Sequence, residues 1–222
     1  METQTAPLAI DYYDVTSEQI YIVDDHPSDM LVIQRLCESM GIPVQVFADP
    51  AIFLASISPN AIGCLIVDLM MPSLSGIELH QKLRQRNIDL TTVVVTGYAD
   101  AGSCRAGFQS GVFDFIEKDF KPASFLEVIR RALSENRRVV ADRRHREVKK
   151  QRLSTLTDRE MDVARLLADG ATLKEIGSQL GISVQTASKH RLSVFSKLDV
   201  PHEVELFRSF RDSFLRVESR HH

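Results

Sequence analysis

The stretch IGCLIVDLMMPSLSG, residues 62–76, decides the fold of the first part of the chain. It opens on an apolar run, Ile62–Val67, which leads into a carboxylate at Asp68 and then into turn residues. Short runs that are rich in Val and Ile and bounded by turn residues are typical of strands. Because this run is apolar throughout instead of alternating, it predicts a strand that is covered on both faces.

Four similar runs flank this one, at Ile20–Val23, Val44–Phe47, Thr92–Thr96 and Val112–Ile116. Between the runs, apolar residues recur at the three- and four-residue spacing of one helix face. Alternating strands and helices indicate a parallel sheet with helices on both sides. The predicted fold class is therefore α/β, a doubly wound (βα)5 domain over residues 19–135 that follows an N-terminal extension at 1–18.

Length and composition exclude several other classes of protein. The chain has 222 residues, of which 44% are hydrophobic, enough for two globular domains. It contains no run of about eighteen apolar residues and begins without the pattern of a secretory signal, so we expect no membrane contact. Three widely spaced cysteines fit a reducing compartment better than a disulfide framework or a zinc site, which predicts a cytoplasmic protein.

Charge is divided unevenly along the chain. Residues 1–136 carry 9 basic and 18 acidic side chains, a net charge of −9, whereas residues 137–222 carry 18 and 12, a net charge of +6. Such asymmetry suggests an acidic module joined to one that meets a polyanion. The alternative is that two solvated surfaces simply differ in charge.

The second half of the chain has helical patterns and no strand pattern. Residues 136–153 are highly charged and predict a partly helical linker. The segments that begin at Thr157 and Thr172 each place a Glu three residues after the hydroxyl, which is the capping-box pattern of a helix start. Ser183 and Pro201 mark two further starts. Residues 154–222 are therefore predicted to form an all-α, four-helix domain.

Polar side chains occur where the predicted strands end. They are Asp24, Asp25, Asp68, Thr96 and Lys118. Parallel doubly wound sheets place function at the carboxyl ends of their strands, so these groups should converge. Crowded carboxylates suit Mg²⁺, and a carboxylate can attack phosphorus while a metal and a lysine neutralise the transferring group. Any one of these residues alone is more often a turn residue or a solvated charge, but four strand ends together favour a phosphate and magnesium site.

Residues 19–135 resemble the receiver domain of response regulators, which has the CheY/flavodoxin-like fold. The motifs are IVDDH at 22–26, IVDLMMPSLSG at 66–76, VVVTGYAD at 93–100 and FDFIEKDFKP at 113–122. The resemblance implies that a histidine kinase phosphorylates Asp68. It also implies a Mg²⁺ site, a phosphoryl contact from Lys118 and a signalling switch. Asp25, Asp68 and the Met70 carbonyl would bind Mg²⁺ directly, and Asp24 would help through water. The switch pair would be Thr96 and Phe115.

Four positions of this domain leave alternatives open. Lys118-Asp119 stands where the family usually has Lys-Pro, often with a cis bond, so a trans bond or a strained loop is expected. Phe115 is either the switch aromatic or ordinary apolar filling. Tyr98 either shields the phosphate from water or is an exposed loop aromatic, and His26 is read as a loop residue more readily than as a ligand.

The segment from Thr172 to Leu198 predicts helix, turn and helix. Leu173, Ile176 and Leu180 share one apolar face, and Val184, Ala187, Val194 and Leu198 share another. The remaining positions of the second helix offer Gln185, Thr186, Ser188, Lys189, Arg191 and Lys197. Such a helix could pack on one side and read DNA on the other. The alternative is a helical hairpin with a solvated polar face.

Residues 156–200 resemble the LuxR-type helix-turn-helix of the NarL/FixJ family. The resemblance implies DNA contacts by Lys174, Thr186, Lys189 and Arg191, and dimerisation through the last helix from about His202. Phe207, Phe210 and Phe214 would form its seam or else pack inside the domain. The family often reads Thr-Val-Lys-x-His, whereas this chain reads Thr186-Ala-Ser-Lys-His190, so its operator sequence is left open.

Together the two resemblances indicate a two-component response regulator. The expected partners are a histidine kinase or phosphotransfer protein, double-stranded DNA and, in the active state, a second copy of the chain. No enzyme activity is expected beyond the receiver's own phosphoryl transfer and dephosphorylation. Two alternatives stay open: a regulator that binds DNA without phosphorylation, and a protein-binding adaptor or phosphate sink.

Overall fold

The structure is a computed structural model that describes residues 18–97 and 101–218. Most of the predicted N-terminal extension, and Tyr98, lie outside the described residues. The chain divides into two compact units, Met1–Ala141 and Asp142–His222. Within the described ranges, no helix combines the length and apolar character needed to cross a bilayer.

The first unit is built on a five-stranded parallel sheet with the strand order β2-β1-β3-β4-β5. Its elements are β1 (Gln19–Val23), α1 (Pro27–Glu38), β2 (Val44–Phe47), α2 (Pro50–Ser56), β3 (Gly63–Asp68), α3 (Gly76–Gln85), β4 (Thr91–Thr96), α4 (Ala101–Ser110), β5 (Asp114–Glu117) and the start of α5 (Pro122–Ser154). The predicted doubly wound (βα)5 fold is confirmed. The order reverses between β1 and β3, which is where such folds form a binding crevice.

The central strand β3 explains why its run of residues is apolar throughout. All six of its residues are buried, and it pairs with β1 on one side and β4 on the other. Alternate side chains enter two different cores, with Leu65 and Val67 in one and Cys64 and Ile66 in the other. Both faces of the sheet are therefore covered, as the sequence predicted.

The fifth strand begins two residues later than predicted. Gly111 has φ +97°, and the N–H of Val112 donates to the carbonyl of Gly107, 3.0 Å away. Val112 thus belongs to the turn that ends α4, and ladder pairing starts with Asp114 opposite Val93. The apolar run counted as strand includes a buried residue that packs below the helix end instead.

The second unit contains helices and no strand over its described part. Residues 136–153 are helical along their whole length as part of α5, and α6 (Asp158–Ala168), α7 (Leu173–Leu180), α8 (Val184–Leu198) and α9 (Glu203–Glu218) follow. Both predicted capping boxes are present, at Thr157 and Thr172, and Ser183 caps α8. Gly181, with φ +66°, ends α7 in the left-handed conformation that glycine adopts easily.

One prediction for this unit was wrong in detail, and one open alternative is decided in part. Val184 is 49% exposed and does not share the buried face of α8, because that face consists of Ala187, Val194 and Leu198. For the phenylalanines of α9, the alternative of packing inside the domain holds for two of the three. Phe210 and Phe214 are buried in the core of the unit, whereas Phe207 is exposed.

Candidate phosphoacceptor site and nucleic-acid interface

The carboxyl edge of the sheet gathers the polar residues predicted to meet there. Asp24 follows β1 directly, Asp68 is the last residue of β3 and Thr96 is the last residue of β4. Lys118 follows β5, and its backbone N–H donates to the carbonyl of Thr96, 2.8 Å away. Asp24, Asp68 and Thr96 are all buried, so parallel pairing brings charged and polar groups together out of water.

The Lys118 ammonium lies at the centre of this edge. Its Nζ is 3.1 Å from Asp24 Oδ2, 2.8 Å from Asp68 Oδ1 and 2.7 Å from Asp29 Oδ2. Burial alone would lower the pKa of Lys118, but hydrogen bonds to the three carboxylates outweigh it and raise that pKa. The lysine therefore stays cationic and compensates carboxylates that would otherwise repel one another.

The phosphoacceptor candidate, Asp68, is held by both of its oxygens. Oδ1 faces Lys118, and Oδ2 accepts the N–H of Met70 at 2.7 Å. Gly76, the first residue of α3, packs against the backbone of Asp68. A Cβ on Gly76 would lie 2.5 Å from the Asp68 carbonyl oxygen. The Ser75–Glu78 capping box fixes the start of α3, so the local sequence positions this helix against Asp68.

The acidic pair after β1 and His26 form a second cluster at this edge. The backbone N–H of His26 donates to Asp24 Oδ1 at 2.8 Å, and its Nδ1 lies 3.1 Å from Asp25 Oδ1. One ligand atom each of Asp24, His26 and Asp29 lie within 4.8 Å of one another. His26 thus lies in the loop between β1 and α1 and against both carboxylates.

The donor set of this edge fits a hard divalent cation. Asp25 Oδ1 is buried and accepts no hydrogen bond from the described residues, although His26 Nδ1 lies near it. A buried carboxylate oxygen without a donor is costly unless something else compensates its charge. Carboxylate oxygens at this density are ligands that Mg²⁺ accepts.

The loop after Lys118 keeps the ordinary backbone geometry. The described residues contain no cis peptide bond, so the bond between Lys118 and Asp119 is trans. Asp119 is exposed, and the N–H of Phe120 closes the turn by donating to the Glu117 carbonyl at 3.1 Å. The replacement of the usual proline by Asp119 therefore leaves Lys118 in place at the site.

The candidate switch aromatic, Phe115, lies in a gap in α4. Its half-buried ring meets Phe108 edge-on, with 5.2 Å between the ring centroids. A Cβ on Gly107 would lie 2.3 Å from the ring, so only glycine leaves room for this orientation. Phe115 therefore packs between β5 and α4. Thr96, the other residue of the predicted switch pair, is buried at the end of β4.

Asp29, on the first turn of α1, is the site residue that sequence reasoning missed. Its contact with Lys118 is the shortest of the three, and the hydrogen bond lowers the pKa of Asp29. An acidic residue in the first turn of a helix has a local explanation in the helix dipole, which hid its role. The available signal was Pro27, which begins a helix two residues after Asp25 and so places Asp29 in the first turn, near the same edge.

The residues proposed to touch DNA divide into two groups. Lys174 on α7, and Gln185 and Lys189 on α8, are exposed, and Thr186 and Ser188 are half-buried. Arg191 and Lys197 are engaged inside the unit. Arg191 pairs with Glu203 at 3.1 Å and lies over the Phe195 ring, and Lys197 pairs with Glu160 at 2.5 Å. Sequence reasoning missed Leu192, which is 60% exposed on α8.

The buried Glu160 ties α8 to α6. One oxygen accepts from Ser193 at 2.6 Å, and the other accepts from Lys197 and from the backbone N–H of Thr157. The hydrogen bond from Lys197, followed by those from Ser193 and Thr157, lowers the pKa of Glu160 to about 2. The capping-box residue thus also fixes where α8 lies.

Replacing Glu160 should weaken the second unit in a pH-dependent way. Because hydrogen bonds to charged groups contribute about 1.5–3 kcal/mol, Glu160→Gln should cost about 2 kcal/mol at pH 7. The folded pKa is below the ordinary value of 4.5, so this stabilisation is complete above pH 4.5 and is lost as the pH falls toward 2. Urea unfolding of both proteins between pH 7 and pH 3 should show the difference shrinking.

Glu175→Gln is the matched control for this prediction. Glu175 is the capping-box glutamate of α7, and its side chain bonds only to Thr172 among the contacts described. Its replacement should cost less at pH 7. Equal losses for the two variants would mean that the contacts with Ser193 and Lys197 contribute nothing.

Comparisons with known proteins agree with both units. The features compared are a doubly wound sheet with an acidic, lysine-centred edge and the capped helix-turn-helix that follows it. Residues 20–130 match the response regulator receiver domain, and residues 154–210 match the bacterial regulatory proteins of the luxR family. The chain belongs to the response regulators that join a receiver to a LuxR-type DNA-binding domain, and it is a transcriptional regulator.

The relatives span nearly the same architecture. The chain is 31% identical to the transcriptional regulatory protein FixJ of Rhizobium meliloti, over 86% of this chain and 96% of that one. It is 30% identical to the transcriptional regulatory protein TdiR of Thauera aromatica, over 81% and 79%. The solved structure of the response regulator StyR matches with a TM-score of 0.80 at 29% identity, covering 88% of this chain and 99% of that one.

Proposed function

We propose that this regulator is controlled by phosphorylation of Asp68 by a histidine kinase or phosphotransfer protein. The observation that carries the proposal is the Lys118 ammonium, which bridges the buried carboxylates of Asp24 and Asp68 at the crevice of the sheet. The same chain carries a LuxR-type DNA-binding domain. We further propose a receiver at 19–135, a charged linker at 136–153 and a DNA-binding domain at 154–222.

In the proposed reaction, an Asp68 carboxylate oxygen attacks phosphorus and the bond from phosphorus to the donor's imidazole nitrogen breaks. Lys118 would neutralise charge on the transferred group, and the Thr96 hydroxyl would hydrogen-bond to it. Asp25, Asp68 and the Met70 carbonyl would hold Mg²⁺ directly, with Asp24 helping through water. When bound, the ion neutralises negative charge on the phosphoryl oxygens.

The proposed output is a change at the Thr96–Phe115 pair that favours a homodimer able to bind DNA. A new charge at Asp68 that recruits Thr96 would bias the Phe115 ring between two positions, which is the minimum that a switch requires. Exposed Val204 and Phe207 on α9 support a two-fold contact between copies. Two recognition helices would then meet a two-fold-related DNA site.

The geometry of the second unit ranks the proposed DNA contacts. Lys174, Gln185 and Lys189 can reach DNA without breaking internal bonds, and Thr186 and Ser188 can add contacts at the helix start. Exposed Leu192 could meet a thymine methyl group. Arg191 and Lys197 would have to leave Glu203 and Glu160, so we propose them as weaker contributors.

Binding to labelled genomic DNA fragments at fixed salt tests this function. With Mg²⁺ and beryllofluoride, which mimics the phosphoryl group, specific binding should tighten at least about tenfold, a change of about 1.4 kcal/mol. Asp68→Asn should abolish the gain, and Lys189→Ala should weaken binding in both states and reduce its salt dependence. Equal specific binding in every condition would favour a regulator that does not need phosphorylation, and no specific binding would favour an adaptor or phosphate sink.

A further inference from the structure

The resting site gives every proton of the Lys118 ammonium a carboxylate partner. An ammonium group has three donors, and Lys118 directs them to Asp24, Asp29 and Asp68 at 3.1, 2.7 and 2.8 Å. A phosphoryl group on Asp68 would bring further charged acceptor oxygens to the same place. Lys118 can serve them only by releasing one of its present partners.

The three partners differ in how easily they can be released. The side chains of Asp24 and Asp68 are 2% and 5% exposed, and each also accepts a backbone N–H, from His26 and from Met70. The Asp29 side chain is 38% exposed, and its other hydrogen bond is a contact of 3.3 Å from the neighbouring Ser28 hydroxyl. Water can therefore solvate Asp29 after release, whereas the other two carboxylates are buried and would lose a cation that water cannot replace.

Asp29 is not explained by the local needs of its helix. The N-cap residue of α1, His26, makes no side-chain cap, and the Asp29 carboxylate does not turn back to the free N–H groups of the first turn. It reaches instead to a residue 89 positions later in the chain. A first-turn carboxylate that only complemented the helix dipole would not need that partner.

We propose that Asp29 is a positioning residue that holds Lys118 in the unphosphorylated site and is displaced when Asp68 carries a phosphoryl group. This role rests on the proposed function of Asp68. Asp29 competes with the phosphoryl oxygens for one lysine proton and adds a negative charge beside them. It therefore sets the threshold for phosphorylation, and removing its charge lowers that threshold.

Beryllofluoride affinity in saturating Mg²⁺ tests the proposal on the full chain. Asp29→Asn should bind the mimic about tenfold more tightly than the unsubstituted protein, near the lower end of what a charge-assisted hydrogen bond contributes. Asp29→Glu, which restores the carboxylate, should return the affinity toward that of the unsubstituted protein. Asp119→Asn is the matched control, because it removes an exposed charge next to Lys118 without a described contact to its ammonium.

A second readout works without metal or phosphoryl mimic. In EDTA, an amine-selective reagent should modify Lys118 several-fold faster in Asp29→Asn than in the unsubstituted protein, as followed by peptide mass spectrometry. The other lysines report any general loosening of the fold, and they should react at unchanged rates. Equal Lys118 reactivity in the two proteins would overturn the positioning role.

The outcomes separate this inference from the proposed function. If the unsubstituted chain does not bind beryllofluoride at all, phosphorylation control fails and the role of Asp29 fails with it. If that chain binds the mimic but Asp29→Asn binds no more tightly, the role of Asp29 alone is overturned. An equal gain in Asp119→Asn would overturn it as well, since local charge would then be sufficient.

Discussion

Gly63→Ala is expected to destabilise the receiver by at least about 4 kcal/mol, enough to leave much of it unfolded in a protein of ordinary stability. Gly63 begins the central strand with φ +135°, a conformation that other residues rarely adopt. A Cβ there would lie 1.8 Å from the Gln19 carbonyl oxygen and 2.8 Å from its carbon. Both atoms are backbone of the paired strand β1, so no side-chain movement relieves the clash.

Gly63→Ala should also release α5 from the sheet. The N–H of Gly63 donates to Oδ1 of the fully buried Asn136 at 2.8 Å, and the Asn136 amide donates to the Asp89 carbonyl. Shifting the start of β3 would break this link and leave buried amide groups unpaired, which adds to the cost. Urea unfolding, followed by circular dichroism and by hydrogen exchange of receiver peptides, measures the effect.

Gly41→Ala is the control that separates strain from collision. Gly41 also has a positive φ, +71°, but a Cβ there would meet nothing within 4 Å. It should therefore show only the conformational cost, about 1 kcal/mol. If Gly63→Ala were no worse than Gly41→Ala, the close contact with Gln19 would not be a determinant of stability.

Most of the receiver fold could be predicted because its signals are local and repeated. Each strand is a short apolar run, and parallel pairing carries the residue after each run to one edge, so Asp24, Asp68, Thr96 and Lys118 could be grouped before any distance was known. The late start of β5 could not be seen, because Val112 is apolar whether it pairs in a strand or packs under a helix end. Periodicity does not separate those two environments.

Asp29 shows which kind of site residue could not be predicted from the sequence. A carboxylate at the third position of a helix has an adequate local reason to be there, and its partner is 89 residues away. Glu160 is a similar case. Its capping box can be predicted from the sequence, but its hydrogen bonds to Ser193 and Lys197 depend on how α8 crosses α6. Sequence patterns thus identify groups that converge by topology better than groups that meet through helix packing.

The burial of the α9 phenylalanines could not be settled from residue type, because it depends on the phase of the helix. Residue type left open whether the three rings form a seam or pack inside the domain. Leu206, Phe210 and Phe214 follow one another at four-residue spacing and form the buried row. Phe207 lies one position beside that row and faces outward. Leu206 was the signal for the correct phase, because an amphipathic helix buries residues spaced three or four positions apart, whatever their type.

Lys118→Ala should destabilise the receiver by about 3–5 kcal/mol in EDTA at pH 7, the cost of leaving buried charges without their partner. Asp24 and Asp68 lose the cation that lies 3.1 and 2.8 Å from them, and their buried side chains cannot turn to water. Asp29 adds a third carboxylate to the cluster. The urea midpoint for the receiver, compared with that of the unsubstituted protein, measures this loss.

Mg²⁺ should recover much of the loss in Lys118→Ala, and it should stabilise this variant more than the unsubstituted protein. With the lysine gone, a divalent cation no longer meets a neighbouring positive charge, and its affinity for the carboxylates should rise. A ligand present at a hundred times its dissociation constant stabilises the folded state by about 2.7 kcal/mol, so a Mg²⁺ titration of the urea midpoint should resolve the difference. Lys121→Ala removes an exposed lysine three residues later. It should neither lower the urea midpoint in EDTA nor increase the stabilisation by Mg²⁺. Equal behaviour of the two variants would show that Lys118 does not compensate the acidic edge, and the assignment of Asp68 as phosphoacceptor would lose the interaction on which it rests.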